Sequence, residues 1–203
     1  MKENIPNQND QLFIEESNPK YGAWLKNPAN KFFLYSEGYK EAGKQLLDFC
    51  TKNTFYANTL IYPLIFNYRQ FVELRLKELI IMGYRFHGID KDFADEHSLM
   101  NLWKTYRKEI VEPLEEIEKS ILNNVERIIL QFNTEDPKSM CFRYPVSTGP
   151  NRKESINRET LDLENFKKVI DKLIFFFDWQ WDMLSHYQDM QDEMISEMYS
   201  NYY

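Results

Sequence analysis

The sequence predicts an all-α protein, an up-and-down bundle of four to five long helices. Aromatic residues make up 16% of the 203 residues and only six residues are glycine, a composition that favours helices packed through large side chains over turn-rich sheets. Apolar residues also recur at helical spacing through several long segments. We expect an irregular lead-in over residues 1–29, where prolines interrupt any helix. Residues 30–203 should then form a single helical-bundle domain with a long C-terminal helix.

The composition also excludes several classes of function. A net charge of −7 argues against broad, non-specific binding to nucleic acid or to an anionic membrane, because the mean field repels phosphate. The apolar runs are far shorter than the roughly 20 residues of a membrane-spanning helix, and the polar N-terminus does not resemble a signal peptide. We therefore expect a cytoplasmic protein. Cys50 and Cys141 are far apart in the sequence and lack paired histidines, so neither a zinc site nor a disulfide framework is predicted. The sequence also predicts no cofactor.

The first two helices are predicted from periodicity and terminal residues. Asn30 can cap a helix that continues to about Thr51. A second helix is expected to begin at Pro63, a favourable first-turn residue, and to stop at Gly83 after Met82. Because its apolar residues cover more than half of its circumference, this helix should lie at the centre of the bundle.

A charged stripe follows the second helix, with Arg69, Glu73 and Lys77 at successive i+4 spacings. One interpretation is a set of ordinary surface ion pairs, each contributing about 0.2–0.5 kcal/mol. The other is that a central helix presents these charges to a cleft, where a low dielectric suits them to gripping an anion or positioning a catalytic group. The sequence alone leaves both interpretations open.

Two further helices precede the long loop. The third is expected to begin near His97 or Ser98. A fourth should extend from Pro113 to about Phe132, because proline and the glutamates after it suit a helix start. A single kinked helix over both segments is the alternative.

The last helix is expected to begin near Asp162 and, if unbroken, to exceed about 50 Å in length. It carries an aromatic run that is apolar on nearly every face, comprising Phe175, Phe176, Phe177, Trp179 and Trp181. Such a run suits either a deep core position or an interface between two copies of the chain.

Of the three histidines in the sequence, His97 is the one whose position suggests a catalytic role. At a helix N-terminus the dipole disfavours the protonated imidazole and leaves a neutral ring that can act as a base. A histidine that only caps the helix backbone is the alternative. An acidic cluster precedes it, formed by Asp90, Asp92, Asp95 and Glu96. We interpret that cluster as a solvated linker that favours the helix start, rather than as a site for a divalent cation.

Residues 133–160 lack helical periodicity and form a loop longer than compact domains usually keep without a function. Against a single acid, Glu154, the stretch 138–158 carries five basic residues: Lys138, Arg143, Arg152, Lys153 and Arg158. Arg143 adjoins Tyr144, and an arginine beside an aromatic ring can hold a phosphate and stack a base of single-stranded nucleic acid. Docking of this loop on the acidic body of the protein is the alternative.

Three short motifs of the chain resemble those of one known family. They are Tyr68-Arg69-x-x-Val72-Glu73-Leu74-x-x-Lys77, His97-Ser98-Leu99-x-x-Leu102-Trp103 and Phe142-Arg143-Tyr144-Pro145. Over about residues 58–177 they resemble the HEPN superfamily of prokaryotic helical domains. The resemblance implies a bundle that forms homodimers. It also implies a relation to metal-independent endoribonucleases of phage defence and toxin-antitoxin systems.

RNases of that superfamily place an arginine and a histidine across a dimer cleft, where histidine assists attack by the ribose 2′-hydroxyl and arginine stabilises the phosphate. Their motif, an arginine followed four to six residues later by histidine, is absent from this chain. The resemblance therefore implies a rearranged catalytic set without a metal, formed by His97, Arg69, Arg143 and Glu73. The RNA-binding residues it implies are Tyr144, Lys77, Arg152, Lys153 and Arg158. The alternative is a catalytically inactive scaffold or regulatory module, a dimer that binds a protein partner through its aromatic C-terminal helix.

Overall fold

The computed structural model describes residues 5–15, 18, 20–27, 30–93, 95–147 and 150–200. The chain separates into two compact units, Met1–Lys31 and Phe32–Tyr203. Between residues 5 and 27, the described residues form bends and turns. In one of these turns the backbone N–H of Asn7 donates to the Asp10 carboxylate at 2.7 Å.

Five α-helices form the bundle, and the residues that the structure describes include no β-strand. The helices are α1 (Lys31–Lys52), α2 (Thr54–Phe86), α3 (Leu99–Thr105), α4 (Lys119–Glu135) and α5 (Leu163–Ser200). Helix α2 packs against α3 and α5, and α3 packs against α4. The predicted all-α fold is confirmed. Over the same described ranges, no helix is long and apolar enough to cross a membrane.

Helix α2 is the central helix, as predicted, but it is longer at both ends. It begins at Thr54, so Pro63 lies inside it rather than in its first turn. A proline inside a helix removes one backbone hydrogen bond. The turns before Pro63 are held by tertiary packing instead, since Leu60 and Ile61 pack against the buried core.

Gly83, which we expected to end α2, lies within the helix because another segment approaches it closely. A Cβ atom at this position would lie 2.2 Å from Cγ2 of Ile110, far inside van der Waals contact. Ile110 is fully buried. The glycine therefore serves the packing of α2, which continues to Phe86.

The predicted fourth helix begins later than expected. After α3 the chain forms a π-helix, Tyr106–Val111, and a 3₁₀ turn, Glu112–Leu114, that contains Pro113. Glu115 then adopts a left-handed conformation with φ of 55°, which a helix cannot continue. Helix α4 starts at Lys119, so the two segments are separate helices and not a single kinked one.

Helix α5 is continuous over 38 residues, or roughly 57 Å at 1.5 Å per residue. Its aromatic run divides between core and surface. Phe176 and Phe177 are buried, whereas Phe175 is 74% exposed. Near its distal end, the side-chain amides of Gln188 and Gln191 donate to backbone carbonyls of the last turns of α2, at 2.9 and 3.0 Å.

Candidate functional site

The most distinctive polar arrangement of the described chain joins His97 to Glu73. Nδ1 of His97 lies 2.9 Å from Oε1 of Glu73. The His97 side chain is 66% exposed, whereas the Glu73 side chain is 4% exposed. Glu73 is held in place by the central helix, α2. His97 directly precedes Ser98, whose side chain caps α3 by accepting from the backbone N–H of Asn101. The predicted start of α3 is confirmed.

This contact defines the tautomer of the imidazole. An ionised carboxylate only accepts hydrogen bonds, so Nδ1 of His97 must be the donor. In the neutral ring, Nε2 is then the unprotonated nitrogen and the one that can take up a proton. His97 thus does not cap the helix through its ring, and its side chain has the orientation of a general base supported by a carboxylate.

Glu73 remains ionised despite its burial. Burial alone would raise the pKa of this carboxyl, but hydrogen bonds from His97, Arg69 and Lys77 together lower its pKa below the ordinary value. The two basic partners lie on the same helix: Arg69 donates to Oε2 of Glu73 at 2.6 Å and Lys77 donates to Oε1 at 3.0 Å. These pairs are buried, which excludes the surface ion-pair interpretation of the stripe.

Arg69 lies behind His97 rather than in an open cleft. Its side chain is fully buried. Besides its bond to Glu73, the guanidinium donates to the backbone carbonyl of His97 at 2.6 Å and to that of Asp136 at 3.1 Å. Arg69 therefore holds the segment before α3 and the loop after α4 against α2, and its donors are directed at protein groups.

Lys77 is also withdrawn from the surface. It is 6% exposed, bonded to Glu73, and its ammonium lies 5.1 Å from the centroid of the Phe93 ring. That distance is within the range of a cation–π contact. The arrangement gives Lys77 a role in holding the Glu73 carboxylate.

A cleft of about 580 Å³ opens beside His97. It is lined by Asp95, Glu96, His97, Ser98, Asn133, Pro137, Lys138 and Met140. The two faces of the cleft come from the segment before α3 and from the end of α4 with the loop that follows it. Lys138 is exposed and brings a positive charge to the same cleft as the imidazole.

Glu96, the last acid of the cluster before His97, bonds the backbone where α3 starts. Oε1 of Glu96 accepts from the backbone N–H groups of His97 and Ser98 at 3.0 and 2.8 Å. Hydrogen bonds from Asn101 and Ser98 lower the pKa of Glu96. In the part of the chain that the structure describes, no three His, Cys, Asp or Glu side chains are grouped to hold a metal ion.

Arg143 and Tyr144 form an exposed cationic and aromatic surface close to this cleft. The guanidinium of Arg143 lies 5.4 Å from the Tyr144 ring centroid and 5.7 Å from that of Phe66, which precedes Arg69 by one turn of α2. Nη1 of Arg143 also lies 4.0 Å from the sulfur of Met140, a residue of the cleft wall. The Arg143 surface and the His97 cleft are therefore adjacent.

The remaining basic residues of the loop do not line the cleft. Arg152 and Lys153 are exposed. Arg158 pairs with Glu135 at the end of α4, which agrees with the expectation that part of the loop docks on the acidic body of the protein.

Asp136 shapes the cleft but was not predicted from the sequence as part of the site. Its Oδ1 accepts from the backbone N–H groups of Met140 and Cys141, at 2.7 and 3.0 Å. This bonding shapes the turn that carries Lys138 and Met140 to the cleft. The Asp-Pro pair at 136–137 was the available signal, since aspartate commonly initiates turns by bonding the backbone after it.

Comparisons with protein-family models, with curated proteins and with solved structures found no match to this chain. The resemblance to the HEPN superfamily therefore remains a prediction from the motifs.

Proposed function

We propose that this chain binds single-stranded RNA at the His97 cleft and cleaves it without a metal ion, His97 acting as the general base. The proposal includes the cytoplasmic role in phage defence or toxin-antitoxin conflict that the HEPN resemblance implies. The observation that carries it is the exposed imidazole whose Nδ1 is held by the buried Glu73 carboxylate at 2.9 Å. A histidine with only a packing role would need neither an exposed side chain nor an ionised hydrogen-bond partner.

The groups around the imidazole suit a phosphodiester. Lys138 lies in the same cleft, and Arg143 lies beside the cleft wall at Met140. Their charges can neutralise a phosphate, and Tyr144 offers a ring on which an unpaired base can stack. A basic patch of this kind can bind RNA on a chain of net charge −7, because interactions beyond the roughly 8 Å Debye length are screened.

The proposed reaction is an intramolecular transesterification. Nε2 of His97 accepts the proton of the ribose 2′-hydroxyl, O2′ bonds to phosphorus, and the bond from phosphorus to O5′ breaks. The products are a 2′,3′-cyclic phosphate and a 5′-hydroxyl, whose oxygen is protonated from solvent. Glu73 stabilises the imidazolium that forms.

This scheme changes the role we first gave to Arg69. Being fully buried and bonded to two backbone carbonyls, Arg69 is a positioning residue, and Arg143 takes the phosphate. The catalytic groups lie within one chain, so the reaction does not depend on the homodimer that the resemblance implies. Dimerisation remains a separate proposal, tested by sedimentation at micromolar concentration.

The test is incubation of the full chain with a labelled single-stranded RNA in EDTA, which suppresses contaminating metal-dependent nucleases. We expect His97→Ala to slow cleavage by roughly 10²- to 10⁴-fold. His186→Ala, an exposed histidine on α5, is the matched control and should cleave like the parent chain. An oligonucleotide of the same sequence with 2′-deoxyribose throughout should bind without being cut.

RNA binding is measured separately by fluorescence anisotropy. Arg143→Ala should weaken it, whereas Arg127→Ala, on the exposed side of α4, should not. Binding without cleavage would reject the nuclease and leave a non-catalytic RNA-binding protein. Absence of both would reject the proposal and favour the inactive scaffold.

A further inference from the structure

The distal end of α5 is an amphipathic arm that contributes little to the bundle. We define the arm as residues 189–200. Among the described residues, the last hydrogen bond from the arm to another helix is the one from Gln191 to the carbonyl of Phe86, and every residue from Asp192 to Ser200 is exposed. The arm has about 18 Å of helix at 1.5 Å per residue.

Large apolar side chains line one side of this arm. They are Met190, Met194, Ile195, Met198 and Tyr199, and their exposed fractions range from 46% to 68%. Their spacing of i, i+4 and i+1 places them along a continuous stripe of the helix. Methionine side chains are flexible and polarisable, and they are common at surfaces that bind other proteins.

The charges beside the stripe are all negative. The arm carries Asp189, Asp192, Glu193 and Glu197, and no lysine or arginine occurs anywhere from Leu173 to Ser200. If two copies of this arm paired through their stripes, acids would flank both sides of the contact in either orientation. Like charges at such flanking positions oppose pairing.

We infer that the arm binds a basic amphipathic helix of a different protein, which packs its apolar side on the stripe and places lysine or arginine beside the acids that border it, Asp192, Glu193 and Glu197. This mode of recognition uses apolar anchors one helical turn apart and flanking charges of opposite sign. The inference is independent of RNA binding, which involves the opposite sign of charge and other residues.

The test uses the full chain and two synthetic helical peptides of about 18 residues. Both peptides carry leucine at the helical contact positions; one has lysine elsewhere and the other has glutamate. Fluorescence anisotropy should show binding of the lysine peptide only. Met194→Ser combined with Ile195→Ser should weaken that binding at least about tenfold, because burial of one such side chain contributes about that factor or more.

A charge reversal separates specific docking from general attraction. The variant that combines Glu193→Lys with Glu197→Lys should no longer bind the lysine peptide and should bind the glutamate peptide instead. The matched control is Glu164→Lys combined with Asp171→Lys, which makes the same change of net charge at exposed positions on the bundle part of α5. That control variant should still bind the lysine peptide.

Three results would overturn the inference. One is no binding of the lysine peptide, and another is equal binding by the arm variants and the control. The third is a dimer in sedimentation experiments that the Met194→Ser and Ile195→Ser changes abolish, since the stripe would then be covered by a second copy. The substituted side chains are exposed, so circular dichroism should show an unchanged bundle in all variants.

Discussion

Nδ1 of the exposed His97 lies 2.9 Å from Oε1 of the buried Glu73. The pair connects the segment before α3 to the middle of α2, and therefore connects the surface to the polar interior of the bundle. Because Glu73 also accepts from Arg69 and Lys77, the position of the imidazole depends on the whole buried set.

Glu73→Gln should slow RNA cleavage by roughly 100-fold while leaving the RNA dissociation constant unchanged. The neutral amide cannot stabilise the imidazolium, and it can present its N–H instead of an acceptor to Nδ1. Single-turnover cleavage and anisotropy measure the two quantities. Glu126→Gln, whose carboxylate bonds Trp103 and Arg107 elsewhere in the bundle, is the control. An unchanged cleavage rate in Glu73→Gln would remove Glu73 from the mechanism.

Arg69→Met should reduce the free energy of unfolding by about 3–5 kcal/mol, because it leaves buried acids and two backbone carbonyls without their donor. Urea unfolding followed by circular dichroism measures this change. Arg127→Met on exposed α4 surface should change it by less than about 0.5 kcal/mol. Equal effects of the two substitutions would contradict the role of Arg69 as a buried tether.

Glu73 should also make stability fall in acid. Its folded-state pKa is lowered, so its stabilising contribution is present above the unfolded pKa, about 4.3, and is lost as pH falls through the folded value. We expect the parent chain to exceed Glu73→Gln in unfolding free energy at pH 7, and the difference to shrink as pH falls from about 5 towards 3. A constant difference over that range would reject the assignment.

Gly83→Ala should destabilise the protein by about 1–3 kcal/mol, because the added Cβ overlaps the buried Ile110 side chain. Gly38 provides the matched control, since it is an exposed glycine within α1 whose Cβ would meet no atom within 4 Å. Gly38→Ala should stabilise by about 0.5–1 kcal/mol through its effect on helix propensity. Thermal unfolding of the two variants compares them directly, and a stabilising Gly83→Ala would show that the packing described here is incorrect.

These residues show which features could be predicted from the sequence. The bounds of α1 and the start of α3 followed from local signals, namely periodicity and the capping side chain of Ser98. Pro113 misled the boundary prediction because it lies in a short 3₁₀ turn that ends at the left-handed Glu115. Pro63 and Gly83 misled it because the helix around them is held by tertiary packing with partners distant in the sequence. The helix propensity of a short segment carries no information about such distant partners.

The candidate site likewise has features that could be predicted from the sequence and features that could not. The i+4 spacing on α2 correctly placed Arg69 beside Glu73 and Glu73 beside Lys77. Burial of this stripe could not be predicted, because the covering segments come from the residues before α3 and after α4. The contact of Asp136 with Arg69 depends on the same tertiary arrangement.

Gln188 and Gln191 of α5 donate their side-chain amides to the carbonyls of Met82 and Phe86. These bonds affect which part of the bundle unfolds first. The carbonyls in the last turn of a helix normally lack partners, and helix ends fray for that reason. At the end of α2, the carbonyls of Gly83, Tyr84 and Arg85 accept from the backbone N–H groups of the residues that follow the helix, and the carbonyl of Phe86 accepts from Gln191 of α5. We therefore expect amide hydrogen exchange to begin beyond Gln191 on α5 and to reach the end of α2 only after this backbone cap and the Gln191 bond have broken. The boundary of slow exchange in this region is then set jointly by the backbone cap that follows α2 and by a glutamine side chain of α5.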